Sequence, residues 1–149
     1  MSAKPSVGYV GVGLMGGSMV ERLVSLGYCV QAFDIDAARL AAAHRAGARP
    51  VVSPAAAARG ADFILLNLPS AQAVEEAVFG TAGLATALRP PQLVVDFSTI
   101  PAAECRDFSR RLHEKTGCNW VDAPVSGGPP AAVAGSLTIM AGEIGRAHV

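Results

Sequence analysis

A chain of 149 residues is long enough for one domain with a real core, and 51% hydrophobic against 16% charged residues excludes a disordered chain. Its 12 basic and 12 acidic side chains cancel, which removes the electrostatic case for nucleic acid or an anionic membrane as partner. No window approaches the roughly 18 uninterrupted apolar residues of a membrane span.

The leader ahead of Val7 lacks the apolar stretch and cleavage site of a signal peptide. Cys29, Cys105 and Cys118 are odd in number and lack C-x-x-C spacing, so reduced thiols and a cytoplasmic location are expected. His44, His113 and His148 are scattered, and no metal site is expected from them.

In chain order, short apolar runs alternate with amphipathic, alanine-rich stretches. Strands are expected over 7–12, 29–33, 49–52, 62–68, 92–97, 119–123 and 137–141. The middle runs are nearly all apolar, as in strands buried on both faces of a parallel sheet. Helices are expected over 15–26, 37–46, 54–59, 71–79 and 101–115. Gly27 and Gly47 fall where helices end, Ser53-Pro54 supplies an N-cap and a first-turn proline, and Thr99-Ile100-Pro101 starts the fifth helix. The alternation predicts an α/β, doubly wound, mostly parallel sheet with helices on both faces.

The first strand runs into Gly11-Val12-Gly13-Leu14-Met15-Gly16, which matches G-x-G-x-x-G. In that pattern the first glycine permits a tight turn, the second lets the backbone approach a pyrophosphate, and the third lets the helix pack close to the strand. The helix that follows aims free N–H groups and a positive dipole end at the phosphates. Phe33-Asp34 ends the second strand, with Asp34 close to the ~20-residue offset expected of an acid that binds the ribose hydroxyls. A carboxylate there accepts both hydroxyls of NAD and repels the added 2′-phosphate of NADP. Asp36 adds to the repulsion, while Arg39, about one helical turn on, offsets it in part. NAD is therefore favoured over NADP. A structural glycine turn with a solvated aspartate is the competing reading.

Three segments, "GYVGVGLMGGSMVERLVSLGYCVQAFD", "LVVDFSTI" and "DAPVSGGPPAAVAGSLTIMAG", resemble the β-hydroxyacid dehydrogenases of the 3-hydroxyisobutyrate dehydrogenase type. That family includes enzymes acting on 3-hydroxyisobutyrate, tartronate semialdehyde and L-threonate, with 6-phosphogluconate dehydrogenases as more distant relatives. The resemblance implies a Rossmann-type domain and hydride transfer between NAD and the alcohol of a short 3-hydroxyacid. It places Leu68-Pro69 alongside the cofactor and Thr99 near the nicotinamide ribose, although Thr99 also suits a helix N-cap. The asparagine that some relatives use for the cofactor is Ala73 here, so that contact is not carried over.

The resemblance also assigns the substrate's carboxylate to Ser126, Gly127 and Gly128. A hydroxyl and unobstructed backbone N–H groups suit an anion, though a purely structural glycine turn before a helix would look similar. The family's catalytic lysine lies beyond the end of this chain, and Lys4 and Lys115 do not fit its role, so no catalytic residue is assigned. The family's all-helical second domain, which builds a homo-oligomeric interface, is likewise expected to be missing. Residues 1–142 are read as the dinucleotide-binding domain. The ending from Glu143 to Val149 departs from the family, and Ile-Gly-Arg-Ala-His-Val matches a sequencing-adapter read-through, so a non-native tail is expected there. A non-catalytic NAD(P)-binding module is the alternative function.

Overall fold

Alternation within the strands decides the architecture. A computed structural model describes residues 2–144, with strands β1 (Val7–Val10), β2 (Val30–Phe33), β3 (Arg49–Pro50), β4 (Phe63–Leu66), β5 (Leu93–Asp96) and β6 (Asn119–Asp122). Between them run helices α1 (Leu14–Ser25), α2 (Ala37–Arg45), α3 (Pro54–Ala58), α4 (Ala71–Phe79) and α5 (Ala102–Thr116), with one 3₁₀ turn at Leu84–Thr86. The chain then forms β7 (Val125–Ser126), α6 (Gly128–Ala134), β8 (Thr138–Ile139) and β9 (Gly142–Ile144). The main sheet has the order β3-β2-β1-β4-β5-β6-β9; its first six strands are parallel and β9 runs antiparallel to β6.

Successive residues of each strand face opposite sides, so the sheet carries two cores. Val10, Ile64, Leu66, Val94 and Trp120 pack on one side with α3, α4 and α5. Val7, Tyr9, Val30 and Ala32 pack on the other with Met19 and Val20 of α1, Ala43 of α2 and Ala132 of α6. Along α5 the buried positions Cys105, Phe108, Ser109 and Leu112 follow helical spacing. Each large apolar side chain buried in this way contributes about 1.5–3 kcal/mol. Arg111 clamps α5 to α4, paired with Glu75 at 2.8 Å and lying 4.1 Å above the centre of the Phe79 ring.

The helix starts follow local chemistry. The Asp36 side chain accepts from the Ala38 and Arg39 amides, Ser53 from the Ala56 amide, and Ser70 from the Ala73 amide. Thr99 does not serve in this way. It is exposed, and α5 begins later, after Pro101, with no capping side chain.

The strand expected over 137–141 shrinks to Thr138–Ile139 and leaves the main sheet, pairing antiparallel with β7. Ile139 and Met140 are more than half exposed, which no interior strand of a doubly covered sheet permits. Between β7 and β8 the chain forms α6, which packs on α1, and the outer place on the sheet goes to β9. Of the tail expected at 143–149, residues 145–149 lie outside the described residues.

One charged side chain is sealed in the first core. Asp96, at the end of β5, has no exposed surface, and burial, opposed by its bonds to Ser98 and reinforced by Asp122, raises its pKa from 3.8 to about 6. A carboxyl whose folded pKa lies above its unfolded value binds its proton more tightly in the folded state, so its ionisation destabilises the fold as pH rises between the two values. The stability difference between Asp96→Asn and the wild type should therefore grow in favour of the variant from about pH 4 to about pH 7, approaching about 3 kcal/mol. Urea unfolding at a series of pH values measures this, and a difference that is constant with pH would contradict it.

Candidate functional site

From β1 the chain builds β2 and β3 to one side, then returns to lay β4 against the other side of β1. Where the winding reverses, the loops leaving the carboxyl ends of neighbouring strands diverge and open a crevice. Here it is a cleft of about 480 Å³, lined by the loop after β1, the end of β2, the Asn67–Leu68–Pro69 turn after β4, and α4.

Gly11 and Gly16 make the turn after β1 possible. Gly11 has φ +93°, and a Cβ there would lie 2.2 Å from the Asn67 carbonyl oxygen. A Cβ on Gly16 would lie 1.9 Å from the Gly11 carbonyl oxygen, so the helix can approach the strand only without that side chain. Gly13 differs. Only the Arg39 guanidinium, 3.6 Å away, lies near its Cβ position, so its bare backbone serves the cleft rather than the packing. Gly13 also occupies the N-cap position of α1 and offers no side-chain acceptor, and no acid stands in the first turn. The first amides of α1 are thus left for an acceptor from outside the helix. These features suit a pyrophosphate.

At the far lip, the Asp34 carboxylate is held from two directions. Oδ2 accepts the Val12 N–H at 2.9 Å and Oδ1 accepts the Asp36 N–H at 2.8 Å. The acid is thereby locked to the glycine turn, with lone pairs on both oxygens still available for a sugar diol. Arg39 also lines the cleft, loosely paired with Asp36 at 3.9 Å, both side chains being largely exposed. Ile35 beside it is 95% exposed, an apolar shelf at the cleft mouth.

Of the residues expected at a site, Gly11, Gly13, Leu14, Met15, Gly16, Asp34, Leu68 and Pro69 line this one cleft. Thr99, Ser126, Gly127 and Gly128 do not line it. Ser126 and Gly127 are exposed, and the two glycines have φ of +134° and +70° at the start of α6. Sequence reasoning missed Phe33, Pro54, Asn67, Glu76, Ala77, Ala82 and Gly83, which also form cleft walls. Asn67 precedes Leu68-Pro69 directly, so the end of β4 pointed to it. Phe33 likewise precedes Asp34 directly, whereas Pro54, Glu76, Ala77, Ala82 and Gly83 come from segments that meet the site only in the folded chain. Ala73 lines the cleft as well, where a methyl group replaces any polar contact. Among the described residues no group of acidic, histidine or cysteine side chains could hold a metal ion, and no helix is long and apolar enough to cross a membrane.

Residues 6–148 match the NAD-binding domain of 6-phosphogluconate dehydrogenase. The chain is 36% identical to 2-(hydroxymethyl)glutarate dehydrogenase of Eubacterium barkeri over 142 residues, covering 95% of this chain and 47% of that protein. It is 35% identical to mitochondrial 3-hydroxyisobutyrate dehydrogenase of Homo sapiens, covering 97% and 43% of the two chains. The solved structure of 3-hydroxyisobutyrate dehydrogenase from Mycobacterium tuberculosis with L-serine superposes with a TM-score of 0.86 at 30% identity, over 94% of this chain and 47% of that one. The chain thus spans a little under half the length of these relatives. With its glycine turn, uncapped α1 and anchored Asp34, it belongs to the family of NAD(P)-binding domains found in 6-phosphogluconate and 3-hydroxyisobutyrate dehydrogenases.

Proposed function

We propose that this chain is the cofactor-binding half of an NAD-dependent dehydrogenase of the 3-hydroxyisobutyrate type, acting on the alcohol of a short 3-hydroxyacid. The observation that carries this reading is the union of bare backbone at Gly13 with the doubly held Asp34 in one cleft. The amides at the start of α1 hold the pyrophosphate, Asp34 takes the adenosine ribose diol, and Leu68 and Pro69 wall the path toward the nicotinamide. Thr99, which does not line the cleft, is assigned to the nicotinamide ribose by the family resemblance. The cofactor supplies the acceptor for hydride.

Ser126, Gly127 and Gly128 orient the substrate's carboxylate through a hydroxyl and open amides. Two features support that role. A turn with both glycines at positive φ keeps side chains away from the anion. The substrates named for the relatives, 3-hydroxyisobutyrate and 2-(hydroxymethyl)glutarate, also each join a carboxylate to an alcohol. The family resemblance assigns the proton of the alcohol to a lysine on a downstream part of the protein, and Lys4 and Lys115 both stand outside the cleft. The partner of the complete protein is a small hydroxyacid, and its active form is a homo-oligomer.

For the 149-residue chain, millimolar NAD should raise the thermal unfolding midpoint slightly while no hydroxyacid is oxidised at a measurable rate. A thermal-shift titration together with a spectrophotometric assay for NADH tests both parts. No thermal shift would remove the cofactor reading, and turnover by the chain alone would remove the assignment of the lysine elsewhere.

Asp34 sets the preference for NAD over NADP. Replacing Asp34→Ser together with Ile35→Arg should move the ratio of NAD to NADP affinities toward NADP by about tenfold or more, since a carboxylate facing a phosphate is exchanged for a cation. Calorimetric titration with each dinucleotide reads the ratio, and an unchanged ratio would show that Asp34 does not face the ribose.

In the complete protein, Ser126→Ala should raise KM for a hydroxyacid about tenfold with a smaller change in kcat, because it removes a hydrogen bond to a charged group. Steady-state kinetics with 3-hydroxyisobutyrate decide this, and an unaltered KM would return Ser126 to a structural role.

A further inference from the structure

The carboxyl ends of β4, β5 and β6 carry a chain of polar groups that cofactor and substrate binding leave unused. Asp96 stands in register with Leu66 on one side and with Asp122 on the other. Its Oδ1 accepts the Ser98 N–H at 2.9 Å, while Oδ2 is buried without a hydrogen-bond partner. The Ser98 hydroxyl, also buried, accepts the Leu68 N–H at 2.8 Å. Leu68 and Pro69 line the cleft. One sealed carboxyl group is therefore connected through a single serine to the backbone of the cofactor wall.

Among the described residues, no cation acts on Asp96. From β6 it faces Asp122, and from α5 the Cys105 thiol; β4 places Leu66 opposite it. The Cys105 thiol is held protonated, its pKa pushed up to about 12 by burial and then by the two acids. Two carboxyl groups in register on adjacent strands take up a proton as a pair.

We propose that Asp96 is a positioning residue that sets the Leu68–Pro69 wall through Ser98, and that proton uptake by the Asp96–Asp122 pair loosens this wall and weakens dinucleotide binding. Ionised Asp96 is the stronger acceptor for the Ser98 amide, and a fixed Ser98 keeps its hydroxyl oxygen on the Leu68 amide. Protonation removes the charge assistance from the bond between Asp96 and the Ser98 amide. Affinity then falls as pH drops through about 6, the value to which burial lifts Asp96. The same protonation stabilises the fold, so lost affinity over this interval is separable from acid unfolding. The inference rests on the dinucleotide occupying the cleft.

The test is calorimetric titration of the 149-residue chain with NAD from about pH 7.5 to about pH 5, alongside Asp96→Asn, Ser98→Ala and Asp122→Asn. The wild-type Kd should rise about fivefold to tenfold across the interval. Asp96→Asn and Ser98→Ala should give flat profiles, and Asp122→Asn should move the midpoint to lower pH by removing the neighbouring negative charge. Ser98→Ala retains both acids, so it decides the matter even where Asp96→Asn folds poorly. A flat wild-type profile, or a slope that survives in Ser98→Ala, overturns the positioning role and leaves the cofactor reading standing. Failure of the wild type to bind NAD or NADP at any pH overturns both.

Discussion

The close approach of backbone to backbone after β1 is the constraint on which the molecule depends. The Gly11 α-carbon passes against the Asn67 carbonyl, and α1 begins so near that Gly16 presses on the Gly11 carbonyl. This contact fixes α1 against β1 and brings the turn after β4 beside the turn after β1. It also turns the uncapped end of α1 into the open crevice. A single methyl group at Gly11 or Gly16 would meet a carbonyl oxygen at about 2 Å, and neither backbone segment can yield without disturbing the sheet.

From that contact the site follows with little further freedom. Phe33 accepts the Gly11 amide through its carbonyl, and Asp34 accepts the Val12 amide through its carboxylate, so the end of β2 is bound to the turn by successive hydrogen bonds. The acid is oriented before any ligand arrives, which lowers the ordering cost of binding. On the opposite side, Ser98 reaches from the end of β5 to the Leu68 amide. The walls of the cleft are thus joined through the carboxyl ends of four parallel strands, and a change at Asp96 has a short path to the cofactor.

Family membership and geometry speak to different parts of the chemistry. The dehydrogenase relatives are about twice the length of this chain, and the proposed acid–base group lies in their additional half. In the proposed function this chain contributes recognition, in the form of a phosphate turn, a sugar acid and a bare glycine corner at Ser126–Gly128. The corner stands outside the cleft, beside exposed Ile139 and Met140. In the proposed function, residues from the downstream half complete a substrate pocket over it.

Much of this was legible in the residues before folding. The short apolar strand runs, the helix cap at Ser53 and the spacing from Gly11 to Asp34 are local properties, governed by backbone sterics and hydrogen bonds over a few residues. They determined the alternating α/β order, the parallel sheet and the turn with its acid. Other features arose only from tertiary structure. The run at 137–141 looks like a strand by composition, yet the placement of α6 on α1 sends it to β7 instead of the sheet. Glu76, Ala82 and Pro54 join Asp34 because separate crossovers converge at the cleft. Asp96 reads as an ordinary strand-end acid, and only its burial in the packed sheet, with Asp122 in register beside it, makes it a proton-hungry group. Sequence determines what a segment can do alone, whereas burial and charge proximity depend on which distant segments pack beside it.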